Sequence, residues 1–392
     1  MIIEGLSLIV NFRRKLVVLG GVLAFGWILV WVLVRLVSAE FTSGSNHSFF
    51  FPAVFQEFTA LEWAEVGPPN VDIATFEIDP NRPETIYAGT TEYQGVWRSQ
   101  DGGQSWEVMG NGFPFTVTVR HLAVAPVSPT VIYAGVRGSF LHQIYRSFDG
   151  GDSWQGLARI HDYPLTTLAV NPVTPTTVYA GVSTWDSPTT GGEVFRSLDG
   201  GSNWSQILPL GTLAQIIVVD PVKPQVVYVG RLSGGLLKSV DGGDNWQAIN
   251  NGLPSNVMTI RNVLLHPSNS QIVYITTNDG LFRSLDGGEN WASFGLGLPV
   301  PWLSSLAFVP NSPETLFATP VEGDDSYGVY KSIDSGNMWQ RLAPNPVDAI
   351  PKEIRVQVGA STNLFVLFDG YGSEDGRFWK LSLISPGIKF LF

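Results

Sequence analysis

Ser147-Phe-Asp-Gly-Gly-Asp-Ser-Trp154 is one of six copies of the pattern Ser-x-Asp-x-Gly-x-x-Trp. The six are Ser99, Asp101, Gly103, Trp106; Ser147, Asp149, Gly151, Trp154; Ser197, Asp199, Gly201, Trp204; Ser239, Asp241, Gly243, Trp246; Ser284, Asp286, Gly288, Trp291; and Ser332, Asp334, Gly336, Trp339. Their aspartates are 48, 50, 42, 45 and 48 residues apart. A period in the forties marks a repeat architecture built from one supersecondary unit.

Each period holds four short apolar runs. In the second these are Val117–Val124, Val131–Gly135, Gln143–Ser147 and Ser153–Leu157. Runs of this length, rich in Val, Ile, Tyr and Trp and bounded by Gly, Pro and Asp, predict strands. A pair like Ile132-Tyr133 recurs at Ile86, Val178, Val227, Val273, Leu316 and Leu364, which makes seven units against six copies of the pattern. The last unit, from about Ile354 to Leu383, lacks the pattern and a fourth strand. Leu61–Val66 looks like a fourth strand with nothing before it. The expected fold is therefore all-β: a seven-bladed propeller of four-stranded antiparallel blades, closed into a ring by the N-terminal strand. Consecutive apolar residues such as Leu122-Ala-Val-Ala125 predict first strands buried on both faces.

Asp followed by Gly-Gly is turn chemistry. The carboxylate accepts backbone N–H groups just ahead of it, and Gly takes positive φ without a Cβ clash. The tryptophan then packs inward; at about 150–250 Å² buried, roughly 4–6 kcal/mol per copy is an upper bound. In the sixth copy Ser335 replaces the first Gly.

This pattern resembles the Asp-box, or bacterial neuraminidase repeat, over about residues 61–383. That repeat occurs in sialidases, xyloglucan-degrading endoglucanases, sortilin-type receptors and photosystem II assembly/stability factors. The resemblance implies a structural role for the six aspartates, at the blade periphery. Gly112-Phe-Pro114, Gly252-Leu-Pro254 and Gly297-Leu-Pro299 are similar to segments of the assembly-factor and sortilin-like propellers.

The 392-residue chain carries a net charge of −11 and no cysteine. An acidic chain without a basic run argues against nucleic acid. Zero cysteines exclude disulfides and thiolate metal sites. His47, His121, His142, His161 and His266 show no metal-ligand spacing, so neither metal nor cofactor is expected. Leu16–Val34 is uncharged, long enough to cross a bilayer, and follows Arg13-Arg-Lys15. It predicts a single transmembrane helix, the membrane contact covering residues 16–37, with the N-terminus cytoplasmic and the rest extracytoplasmic. A signal peptide cleaved near Ala39 is the competing reading. The expected organisation is a stub and anchor (1–39), a linker (40–60), a propeller (61–386) and a tail (387–392).

Catalytic constellations are scarce. A sialidase needs an arginine triad and a tyrosine nucleophile, and an inverting endoglucanase needs two carboxylates across a cleft. Arg120 and Arg261 each stand six residues before a strand-ending proline, and Arg355 lies nearby in the last unit. With His121 and Asn262 they form the candidate binding set at one mouth of the channel, suited to a carboxylate such as a peptide C-terminus. Pairing with neighbouring acids is the alternative for these arginines. Glu77, Asp79 and Asp220 read as hydrogen-bonding groups of the blades. The expectation is a monomeric, non-catalytic propeller that binds a protein or peptide, resembling the assembly factors. A glycan-binding or glycoside-hydrolysing propeller is the alternative, with Trp185 in the insertion 184–192 as a sugar-stacking candidate.

Overall fold

The computed structural model describes residues 60–384, apart from 92–94, 115–116, 139–140, 161–162, 184–190, 210, 255–258, 300–301, 321–327, 347–348, 360–361 and 371–375. The apolar run 16–34, the linker up to residue 59, the tail 387–392, His47, His161 and Trp185 lie outside these residues. Among the described residues, no helix is long and apolar enough to cross a membrane.

Seven four-stranded antiparallel sheets follow one another along the chain. Blade two is typical, with strands Thr118–Ala125, Val131–Gly138, Leu141–Ser147 and Gln155–Gly156. The first strands of neighbouring blades pack side by side around the axis, the last against the first. The fourth strand of this blade is shorter than the sequence suggests. Residues 149–153 close a turn through their own side chains, and only Gln155 and Gly156 are left to pair with Arg146 and Tyr145.

Blade seven is closed as its missing strand requires. Ala349–Val358, Thr362–Gly370 and Gly376–Ile384 pair in order, and Ala60–Glu65 completes the sheet antiparallel to the third. The register runs from Ala60 opposite Ile384 to Glu65 opposite Trp379. Trp63 packs edge-on to Phe368, 6.0 Å between ring centroids, and donates its indole N–H to Pro344 O of blade six.

The repeated turn is a closed hydrogen-bond unit. In its first copy Ser99 Oγ accepts the Gly103 N–H at 2.8 Å and donates to Asp101, and Asp101 accepts the Gln104 and Ser105 N–H groups at 2.9 Å. The serine bonds and the N–H bond from the residue four beyond the aspartate recur around Asp149, Asp199, Asp241, Asp286 and Asp334. Ser335 adopts the left-handed conformation, φ 59°, that glycine supplies in the other five turns. Only Trp154, Trp291 and Trp339 are fully buried; Trp106, Trp204 and Trp246 keep an edge in solvent, so the burial bound applies to half the copies.

The turns also join blades. The cation preceding each box serine donates to a backbone carbonyl in the next blade's turn: Arg98 to Gly150, Arg146 to Gly200, Arg196 to Gly242, Lys238 to Gly287 and Arg283 to Ser335, at 2.6–3.0 Å. The buried second-strand tyrosines reach the same place. Tyr179, Tyr228 and Tyr274 hydroxyls donate to the Gly242, Gly287 and Ser335 carbonyls, and Tyr133 to Pro175 O. Blade six, whose next neighbour lacks the turn, carries Phe317 instead. The Gly-Leu-Pro and Gly-Phe-Pro segments make a further join. A Cβ on Gly112, Gly252 or Gly297 would stand 2.0–2.4 Å from the carbonyl oxygen of Trp154, Trp291 or Trp339 in the next blade.

Two outcomes are expected. Deleting residues 60–65 opens the ring at blade seven and lowers the midpoint of a single calorimetric transition for the whole propeller; an unchanged melt overturns closure by this strand. The second concerns acid. Hydrogen bonds from Ser105, Asn203 and Asn290 hold Asp101, Asp199 and Asp286 at about 2, against an ordinary 3.8, and Asn245 depresses Asp241 likewise. A carboxylate depressed in the folded state stabilises it above its unfolded value, and that contribution is lost as pH falls through the folded one. Thermal midpoints should therefore be level with respect to these groups above about pH 4.5 and decline from about pH 4 to about pH 2. Asp199→Asn combined with Asp286→Asn should flatten the decline.

Candidate binding site at the channel mouth

Every first strand carries a register shift near its start. The shifts fall at Ala74, Arg120, Thr166, Gln215, Arg261, Ser304 and Lys352, one per blade. A bulge leaves one residue unpaired and re-aims its side chain. Repeated seven times round the ring, it sets seven side chains at one end of the central channel. Ala74, Arg120, Thr166, Gln215 and Lys352 line an open cavity of about 420 Å³, together with His121, Arg137 and His142. The strands run from this mouth towards the end that carries the repeated turns.

Arg120 and Arg261 thus occupy equivalent positions, are exposed, and have no carboxylate partner among the described residues. Lys352 stands at the same position in blade seven, exposed and 3.5 Å from Asp369. Proline spacing explains why this lysine escaped the sequence reading. The bulge residue stands six positions before Pro80, Pro126, Pro172, Pro221, Pro267 and Pro310, and blade seven has Val358 there. Thr166 and Gln215 carried the same signal.

In blades two, three and six the residue after the bulge bonds to the next blade. His121 Nε2 lies 3.1 Å from Leu165 O, Thr167 Oγ1 accepts Ile217 N–H, and Ser305 Oγ accepts Ile354 N–H. His121 is therefore a strut as well as a wall of the cavity. Burial pushes its imidazole down to about 4, with Arg120 and Lys352 adding to the effect, so it is neutral at pH 7 and its Nε2–H donates to Leu165 O. Asn262 occupies the corresponding place in blade five and is half-buried.

Arg355 does not join the exposed cations. It sits three residues beyond the bulge, where its guanidinium grips Glu77 of blade one at 2.9 and 3.3 Å and Glu353 at 2.5 Å. Burial opposes its charge, but the two carboxylates outweigh that and hold its pKa above the ordinary range. Burial pushes the Glu353 carboxyl up, and Arg355 pulls it back. The trio ties blade seven to blade one across the seam of the ring. Asp79 and Asp220, at the far end of their strands, are buried turn caps that accept the Asn81 and Arg82, and the Val222 and Lys223, N–H groups.

No protein-family model and no curated protein matches this chain. Solved structures do. The crystal structure of AFV00434, an ancestral GH74 enzyme, superposes with a TM-score of 0.61 at 20% identity, over 80% of this chain and 46% of that one. YCF48 from Cyanidioschyzon merolae gives 0.57 at 17% identity, over 81% and 98%. YCF48 bound to D1 peptide gives 0.57 at 15%, over 83% and 96%. The fold is shared. The chain spans about half the length of the GH74 enzyme and nearly the whole of YCF48. At these identities the likeness extends to the seven-bladed propeller and no further.

Arg355→Met should separate the seam from the mouth. It leaves Glu77 and Glu353 facing each other without a cation. The Arg355 side chain keeps 32% of its surface open, so a loss of about 2 kcal/mol is expected, below the ~3–5 kcal/mol of a fully buried pair. Arg120→Met and Arg261→Met should leave stability within about 0.5 kcal/mol of the parent. Urea titration checks all three.

Proposed function

We propose that this chain is a membrane-anchored, extracytoplasmic propeller that binds an anionic stretch of polypeptide at the mouth of its channel and performs no catalysis. One observation carries the reading. The bulge positions put Arg120, Arg261 and Lys352 at the same end of their first strands in an otherwise acidic protein, and the described lining of the cavity bordered by Arg120 and Lys352 includes no Asp or Glu. Planar guanidinium groups suit carboxylates, including a peptide C-terminus. Thr166 and Gln215 add neutral donors and acceptors for a backbone.

The chemistry of the site weighs against hydrolysis of glycans. An inverting enzyme needs an acid and a base about 6.5–9.5 Å apart. The channel carboxylates Glu77 and Glu353 are both held by one arginine. A propeller of the same fold, YCF48, has been solved with a D1 peptide bound, which gives a precedent for a peptide ligand on this architecture. The uncharged run Leu16–Val34 behind Arg13-Arg-Lys15 supports the anchor and the orientation. The role that fits is a monomeric assembly scaffold like the photosystem II assembly factors it resembles.

Crosslinked affinity purification of the full chain from its native membrane tests the reading. A specific polypeptide partner should be recovered, and Arg120→Glu with Arg261→Glu and Lys352→Glu should reduce its recovery at least tenfold. Undiminished recovery removes the mouth from the reading. Recovery that depends on a glycan favours the sugar-binding alternative.

A further inference from the structure

The second residue of the repeated turn supplies none of the turn's hydrogen bonds, and it is apolar in five of six copies; among them only Phe148 is also held, under the Arg146 guanidinium at 4.0 Å. Phe148, Leu198, Val240, Leu285 and Ile333 stand there, 48, 63, 63, 63 and 70% exposed, and only blade one has a polar residue, Gln100. Two more apolar residues project from the same end. Val173 and Val222, 67 and 46% exposed, sit in the turns between first and second strands. Those turns are bonded to the repeated turns by Gly200 N–H to Thr176 O and Gly242 N–H to Gln225 O, both 2.7 Å.

The propeller chain starts at this end. Ala60 pairs with Ile384, three residues past Leu381, which holds the place of the box serine in blade seven. Ala60, the first described residue, therefore lies on the side where the apolar residues project, and the uncharged run 16–34 precedes it in the sequence. The tether alone does not decide orientation, because residues 35–59 could extend to about 85 Å. The projecting side chains add what the tether lacks.

We infer that the end of the propeller bearing the repeated turns rests on a lipid bilayer, with Phe148, Leu198, Val240, Leu285 and Ile333 dipping into its interface. The anchor reading supplies the tether; the exposed residues supply the face. Their arrangement selects a bilayer over a protein groove. Equivalent positions in successive blades lie on one circle, each a blade's width from the next, so they form separate projections and not one patch. A groove offers one contiguous apolar surface, whereas a bilayer offers an apolar layer beneath every projection. The turn aspartates stay ionised at neutral pH and the chain carries −11, so the surface is a zwitterionic one. The mouth that carries Arg120, Arg261 and Lys352, at the opposite end of the first strands, then faces away from the membrane.

The absence of native cysteine makes the test direct, since each single-cysteine variant carries one label. The full chain is reconstituted in phosphatidylcholine vesicles containing a nitroxide lipid, with an environment-sensitive fluorophore at Leu198→Cys, Leu285→Cys or Ile333→Cys. A control label goes at Arg377→Cys, exposed at the start of a third strand on the far side. At least twofold quenching at the three turn positions and none at the control is expected. Flotation with the vesicles but unquenched turn labels overturns the face while leaving the anchor; failure to float overturns both. Equal quenching on both sides also overturns the face. In a chain labelled at Val240→Cys, the triple variant Leu198→Asp, Leu285→Asp, Ile333→Asp should lose at least threefold of the quenching without a change in melting. Retained quenching overturns the inference.

Discussion

A charged donor in one blade reaching a backbone carbonyl in the next is the contact on which the propeller depends. Each of Arg98, Arg146, Arg196, Lys238 and Arg283 leaves its own sheet to satisfy an oxygen that the following blade cannot satisfy itself. Buried carbonyls need partners, and charge-assisted bonds are among the stronger ones available. Tyrosine hydroxyls share three of these oxygens, which couples the apolar core to the polar join. No blade is complete alone, so stability resides in neighbouring pairs and in the closing of the circle.

The two ends of the first strands divide the work. At one end the chain repeats itself: Asp79, Asn171 and Asp220 cap their turns in the same way, and the box turns follow the same bonds six times. At the other end the backbone repeats but the side chain does not. The bulge is filled by Ala, Arg, Thr, Gln, Arg, Ser and Lys in turn. A constant frame with variable side chains is how a scaffold acquires specificity without risking its fold.

Blade number and the strand that closes the ring were legible in the sequence, because serine, aspartate, glycine and tryptophan each have one geometric duty in the turn. Arg120 and Arg261 were legible through their distance to proline. Lys352 was hidden because that proline is missing from blade seven, and Arg355 drew attention in its stead. Strand alternation could not show that Arg355 faces Glu77, since the pairing crosses 278 residues of chain. The cation before each box serine was on view in every copy; its duty lies in the next blade, where local spacing gives no sign of it.

The joins reach forward along the chain, and this fixes an order of completion during synthesis. Arg98 finds its carbonyl only when Gly150 has been made, and each later blade waits in the same way for its successor. The strand Ala60–Glu65 waits longest. Leu61 and Trp63 are made before every blade, yet their partners Leu383 and Leu381 lie near the far end of the propeller. From first to last the nascent molecule carries an unpaired apolar edge, the kind of surface that draws chaperones and invites misassembly.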